Sequence, residues 1–271
     1  MVFGRNRRSI IGGREVRPDI AVINYPGGNS NFTKEIWAEH GSPTDVALGD
    51  GWSSIRDFTF VDSDLQKIKI PTSVTSIGNA AFENTLKLVS VTFNPDSELK
   101  TIGENAFKDA KALTTIEIPS GVETINFATF ASAIKLTSVT FRPNSRLKII
   151  DMYAFSNTDL RTIDIPKSVQ DIRSNAFYGN ANLTTIRTYP IVLDRLNADD
   201  LNLQAHFGIN NFDENNMFFG IDHPVNIISM VDTQGGRRKP HSRTRKRGRK
   251  KTTQRRRIKR KTRRRKTKQR K

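Results

Sequence analysis

The chain has 271 residues, 45 Lys/Arg against 27 Asp/Glu, a net charge of +18 and no cysteine. That length allows one or two domains. The lack of cysteine excludes disulfides, thiolate metal sites and thiol nucleophiles, and fits a reducing compartment. No stretch approaches the ~18–20 apolar residues of a membrane-spanning helix, and the start of the chain lacks the apolar run of a secretory signal.

Residues 1–17 read as a flexible basic arm carrying Arg5, Arg7, Arg8, Arg14 and Arg17. Residues 18–60 read as an N-terminal cap. They hold a strand-like run from Asp19 to Asn24, a turn at Tyr25-Pro26-Gly27-Gly28 and a short helix between Thr33 and His40. The cap also contains both tryptophans, Trp37 and Trp52, and ends in Phe58 and Phe60, which read as a degenerate first strand.

Residues 61–190 repeat. Phe82, Phe107, Phe130, Phe155 and Phe177 are spaced 25, 23, 25 and 22 residues apart, each with an Ile five residues upstream. A strand pattern recurs as Leu65-x-x-Ile68-x-Ile70, Leu88-x-x-Val91-x-Phe93, Leu113-x-x-Ile116-x-Ile118, Leu136-x-x-Val139-x-Phe141, Leu160-x-x-Ile163-x-Ile165 and Leu183-x-x-Ile186-x-Thr188. Period-two alternation puts the apolar residues of each strand on one face. One strand cannot bury that face alone, so coils must stack, and at least three are needed. The gap from strand end to the next Ile alternates between seven and nine residues. Short Pro-x-x-Val turns such as Pro71 to Val74 therefore alternate with longer turns such as Asn94 to Leu99, and the unit is a pair of coils.

Runs such as Ile70-Pro71-Thr72-Ser73-Val74-Thr75-Ser76-Ile77-Gly78 and Leu99-Lys100-Thr101-Ile102-Gly103-Glu104-Asn105-Ala106-Phe107 resemble the BspA-like (TpLRR-type) leucine-rich repeats. Where that family often has Cys, three residues after Phe, this chain has Thr85, Ala110, Ala133, Thr158 and Asn180. The resemblance implies an α/β repeat solenoid: right-handed, with a parallel β-sheet on its concave face, short irregular or helical segments around Phe, and caps at both ends. It implies binding rather than catalysis. Bacterial members are often surface proteins with secretion signals, and a Lys/Arg/Thr-rich tail is most similar to members from large DNA viruses and protists.

The outward strand positions form a candidate protein-binding face: Lys67, Lys69, Ser90, Thr92, Thr115, Glu117, Ser138, Thr140, Thr162, Asp164, Thr185 and Arg187. Thr also suits any exposed strand, so the hydroxyls alone do not establish binding. The face is hydroxyl-rich, mixed in charge and free of aromatics, which makes it a poor platform for single-stranded nucleic acid. At ~4.8 Å per strand, six strands span roughly 25–30 Å.

Residues 191–232 leave the register and read as a C-terminal cap. Leu193, Leu196, Leu201 and Leu203 suggest a helix, and Val225 to Val231 a last strand. Residues 233–271 read as a disordered polybasic tail. From position 237 on, 23 of 35 residues are Lys or Arg and none is acidic. The rest of the chain sets 22 Lys/Arg against all 27 acids, a balance of −5. The basic residues fall in runs: Arg237, Arg238 and Lys239; Arg243, Arg245, Lys246 and Arg247; Arg249, Lys250 and Lys251; Arg255, Arg256 and Arg257; Lys259, Arg260 and Lys261; Arg263, Arg264, Arg265 and Lys266. Such a segment cannot form a core and is extended by self-repulsion. Its charge density suits phosphate neutralisation without sequence readout, or recognition by a nuclear import receptor. Anionic membrane and acidic protein remain open partners for it, although stable attachment to a membrane needs a second anchor.

Catalytic chemistry is not visible. The four histidines, His40, His206, His223 and His241, lack partners at metal-ligand spacing. The glycine pairs Gly12-Gly13 and Gly27-Gly28 do not make a phosphate-binding pattern, and there is no Gly-x-Ser-x-Gly elbow. The expectation is a non-enzymatic interaction scaffold without metal or cofactor, nuclear, nucleolar or virion-associated. The alternative is an adhesin-like surface or virion module that binds a host protein or glycan through the sheet face.

Overall fold

The computed structural model describes residues 20–27, 30–197 and 225–230, with the backbone of two strands at 9–11 and 14–16. The tail 233–271 lies outside the described residues. Strands β1 (Ser9–Ile11) and β2 (Arg14–Val16) pair antiparallel, so the segment expected to be a flexible arm contains a strand pair.

From residue 21 the chain alternates long and short strands. The long ones are β3 (Ala21–Ile23), β5 (Asp45–Leu48), β7 (Lys67–Ile70), β9 (Ser90–Phe93), β11 (Thr115–Ile118), β13 (Ser138–Phe141), β15 (Thr162–Asp164) and β17 (Thr185–Thr188). The short ones are β4 (Asn31–Phe32), β6 (Ser54–Ile55), β8 (Ser76–Ile77), β10 (Thr101–Ile102), β12 (Thr124–Ile125), β14 (Ile149–Ile150) and β16 (Asp171–Ile172). All pair parallel, and the short strands make one continuous 7-stranded sheet. This is a parallel-sheet leucine-rich-repeat solenoid. In β7 the alternation works as the sequence dictates: Ile68 and Ile70 are buried, Lys67 and Lys69 exposed.

The segment 18–60 covers the repeats by continuing them. β3 and β5 extend the long-strand row and β4 and β6 the short-strand sheet. A short helix, α1 (Lys34–Glu39), capped by the Thr33 hydroxyl, takes the place of a Phe turn in the first coil. Phe58 and Phe60 are not a strand. Phe60 is fully buried 22 residues before Phe82, at the repeat spacing, while Phe58 is an exposed turn residue with φ 58°. At the other end, helix α2 (Pro190–Asn197) starts on a proline, whose fixed φ suits a first helical position, and the strand β18 (Asn226–Ser229) adds in parallel to β17.

The core is a column of rings. Phe32, Phe60, Phe82, Phe107, Phe130, Phe155 and Phe177 are all 0% exposed. From Phe60 on, neighbouring rings lie 4.8–5.6 Å apart with interplanar angles of 15° or less. These separations match offset stacking, which adds roughly 0.5–1.5 kcal/mol per pair beyond area burial.

From Phe60 on, each ring sits in a turn made by left-handed residues two before and two after it. Around Phe82 these are Ala80 (φ 50°) and Asn84 (φ 56°); around Phe107 they are Asn105 (φ 54°) and Asp109 (φ 57°). The conformation aims successive amides at the next coil: Ala80, Phe82 and Asn84 N–H donate to the carbonyls of Glu104, Ala106 and Lys108, each at 2.8 Å. Asn and Asp tolerate this region, whereas alanine is strained there by about 1–2 kcal/mol. Ala80→Gly should therefore be neutral or slightly stabilising. Ala106→Gly, outside the left-handed region, should cost about 1 kcal/mol. Urea midpoints of the two variants check this.

Two glycines are required by close approach. A Cβ on Gly103 would lie 2.5 Å from the Asn79 amide nitrogen, and one on Gly78 would lie 2.4 Å from that of Asp57. These are the points where each coil hands an Asx cap to the next: Asn79 N–H donates to Asp57 Oδ1, and Glu104 N–H to Asn79 Oδ1, both at 2.8 Å. At the position three after Phe, Asn180 is fully buried and donates from Nδ2 to the Phe155 and Phe177 carbonyls at 2.7 and 2.8 Å, while accepting from Thr158. Asn180→Leu removes these three buried hydrogen bonds and should cost about 2–3 kcal/mol, read as a fall in thermal midpoint.

The row of long strands is interrupted twice, between β9 and β11 and between β13 and β15. Each interruption lies across a longer turn, 94–99 or 142–147. A donor is also missing there. Asn94 and Arg142 N–H bond back to the Ile70 and Ile118 carbonyls at 3.0 and 3.1 Å. The equivalent residues after β11 and β15 are Pro119 and Pro166, which have no N–H; Pro71 after β7 has none either, yet β5 and β7 stay paired across a short turn, so the longer turn and the proline act together.

Candidate interaction surface

The outward side chains of the long strands line up in two rows across the coils. One runs Asp45, Lys67, Ser90, then Thr115, Ser138, then Thr162, Thr185 and Asn226. The other runs Val22, Ala47, Lys69, Thr92, then Glu117, Thr140, then Asp164, Arg187 and Ile228. All twelve candidate residues therefore share one side. Lys67, Lys69, Thr92, Thr115, Glu117, Thr140, Asp164 and Arg187 are exposed; Ser90, Ser138, Thr162 and Thr185 are half-buried.

The charges on this side are largely matched within the fold. Lys67 bonds Asp45 at 3.2 Å, Arg142 bonds Glu117 at 2.8 Å and Arg187 bonds Asp164 at 2.6 Å. An exposed pair such as Arg187 with Asp164 contributes about 0–1 kcal/mol. The larger effect of these pairs is to leave a face without a net cationic stripe. The sequence reading missed Asp45 and Arg142. The alternation in Asp45-Val46-Ala47-Leu48, 22 residues before Lys67, was a usable signal for the first. Arg142 follows its strand rather than lying in it, and only the coil geometry shows its reach. Apolar Val22 and Ile228, 56% and 47% exposed, stand at opposite ends of one row.

Further ion pairs staple the turns. Lys108 bonds Glu83 at 2.8 Å, and that hydrogen bond raises the lysine pKa. A 2.7 Å hydrogen bond from Lys148 holds the Glu123 carboxyl below its ordinary value. Both shifts come from coil-to-coil pairing. Exposed aromatics also occur at turns: Phe127 meets Tyr153 edge-on at 6.0 Å. His40 places Nδ1 2.7 Å from the Ile36 carbonyl. Among the described residues no three His, Asp or Glu side chains are grouped to hold a metal ion, and no helix is long and apolar enough to cross a membrane. The tail candidates, Arg237 to Lys266, lie outside the described residues.

Residues 53–185 match a family model described as a BspA type leucine rich repeat region, in 6 copies. The matched segment, just under half the chain, is similar to repeats of that type. No curated protein matches the chain. Among solved structures it is similar to the pneumococcal vaccine antigen PcpA, at 23% identity over 65% of this chain and 47% of that one, with TM-score 0.45. It is similar to a leucine rich cell surface protein from Faecalibacterium prausnitzii, at 28% identity over 63% and 50%, TM-score 0.41. A third is the T. pallidum leucine rich repeat protein, at 24% identity over 62% and 64%, TM-score 0.38. The chain spans about half the length of the first two and under two thirds of the third.

Proposed function

We propose that the protein is a non-enzymatic interaction scaffold: the long-strand face takes a protein partner, and the tail from Arg237 holds nucleic acid without sequence preference or is read by a nuclear import receptor. The observation that carries this is charge segregation. The tail has 23 Lys/Arg and no acid, while the sheet face pairs its charges internally. A polycation releases many counterions on meeting phosphate, and the folded face offers neither cationic stripe nor stacking rings. On this reading the protein acts in the nucleus or, in a viral setting, on packaged genome. The test compares the full chain with residues 1–236 for binding to a random-sequence duplex, and compares the cellular position of fluorescent fusions of both. Salt-sensitive binding and nuclear signal should both depend on the tail. Equal binding by residues 1–236 overturns the tail's role.

A second reading rests on the two outward rows of hydroxyls, which suit hydrogen bonding to a host protein or glycan. Here the protein is an adhesin-like module displayed on a cell or virion surface. Native protein found only inside nuclei would exclude it.

A further inference from the structure

We propose that the solenoid flexes by opening on its long-strand side at two places, between β9 and β11 and between β13 and β15, and that Arg142 is a latch across the first. The opposite side is continuous: the short strands form one 7-stranded sheet, and Phe60 to Phe177 stack without a gap. Among the described residues, ladder pairing is therefore interrupted on the long-strand side and continuous on the short-strand side. Bending there separates the long strands while the ring column acts as the hinge line, because packed aromatic cores resist rearrangement more than solvent-facing hydrogen bonds do.

The latch follows from the missing donor. Pro119 leaves the Phe93 carbonyl without the N–H that Asn94 and Arg142 provide elsewhere. The Arg142 guanidinium reaches back two strands and supplies it. Nη2 donates to the Phe93 carbonyl at 3.1 Å, and Nη1 donates to the Asn94 and Pro95 carbonyls at 2.8 Å each. Nε donates to Glu117 at 2.8 Å, so the arginine is held from the middle strand as well. Its side chain is only 12% exposed. A planar fork with fixed donors is needed for this, and lysine cannot reproduce it. At the second interruption the corresponding residue is Tyr189, which packs against the core. The second opening is therefore unlatched.

The consequence is that the face divides into three blocks: β3, β5, β7 and β9; β11 with β13; and β15, β17 and β18. Each block carries four of the twelve outward candidates. A partner that grips two blocks reads their separation, and Arg142 biases the separation of the first two. This device is independent of what the tail binds.

Hydrogen exchange of the full chain, resolved by residue, tests it. The Glu117 and Asp164 amides, which face the interruptions, should exchange at least about tenfold faster than the Thr92 and Thr140 amides, which face intact pairing. Arg142→Met should accelerate Glu117 by about a further tenfold, with Asp164, Ile102 and Ile125 unchanged. Arg142→Lys should fall between. Equal protection of all four sheet amides in the native chain overturns the hinges. Acceleration of every amide alike in Arg142→Met overturns the latch, because it marks general loosening. Should that variant not fold, Glu117→Gln replaces it, with a smaller rise confined to the first interruption as the expected result and no local rise as the contrary one.

Discussion

Phe107→Ala should lower the unfolding free energy by about 3–5 kcal/mol, the largest loss expected from one truncation in the array. The ring is 0% exposed and stacks at 4.8 Å on Phe82 and 5.3 Å on Phe130. Truncation removes the transfer energy of the ring, leaves a cavity and breaks two stacking contacts. The surrounding turn cannot collapse to fill the space, because the Asn105, Phe107 and Asp109 amides are fixed to the next coil at 3.0, 2.8 and 2.9 Å. In a solenoid the loss also falls on both interfaces of the coil, since each coil is stabilised mainly by its neighbours. Against a typical total of about 5–15 kcal/mol, this leaves little margin. Urea unfolding followed by circular dichroism checks it. A lowered midpoint with a reduced slope would mark the two halves separating. Phe107→Leu keeps most of the volume and should cost about 1.5–2.5 kcal/mol less. A loss below about 1 kcal/mol for the alanine variant would show that the strands, not the rings, couple the coils.

The features legible in the sequence were those with a period. Phe spacing located the ring column, and the Leu-x-x-Ile-x-Ile alternation located the buried and outward sides of the strands. The seven-versus-nine gap also marked, without its meaning being apparent, where the long-strand row breaks. The first coils were harder to read. β5 has Pro43 where later strands start on Leu, and α1 stands where the later coils have a Phe turn, so Phe32 sits directly on β4. Ile55 and Phe60 keep the five-residue spacing, but the nearby Phe58, which is exposed, masks the signal by alternating with Phe60 as in a strand. Contacts between coils depend on register and reach. Asp164 with Arg187 could be paired from aligned repeats. Arg142 could not, because it acts 47 to 49 residues back along the chain.

The tail presents the opposite case, with a composition that is plain in the sequence and a proposed action that rests on charge alone. For the full chain on a random-sequence duplex, neutralising about 6–10 phosphates should lower the association constant roughly 10³–10⁵-fold between about 50 and 200 mM salt. Replacing Arg255, Arg256 and Arg257 together by Gln should reduce the magnitude of the log–log salt slope by roughly 2–3. The same triple change at Arg263, Arg264 and Arg265 should do about the same, since counterion release counts charges rather than positions. An import receptor reads a short run in defined pockets, so there one triad should abolish binding while another leaves it intact. Titrations of both triple variants against duplex, and against a receptor, therefore separate the two roles proposed for the tail. Equal loss on DNA with unequal loss on the receptor would mean that one polycation serves both, with position mattering only for the address.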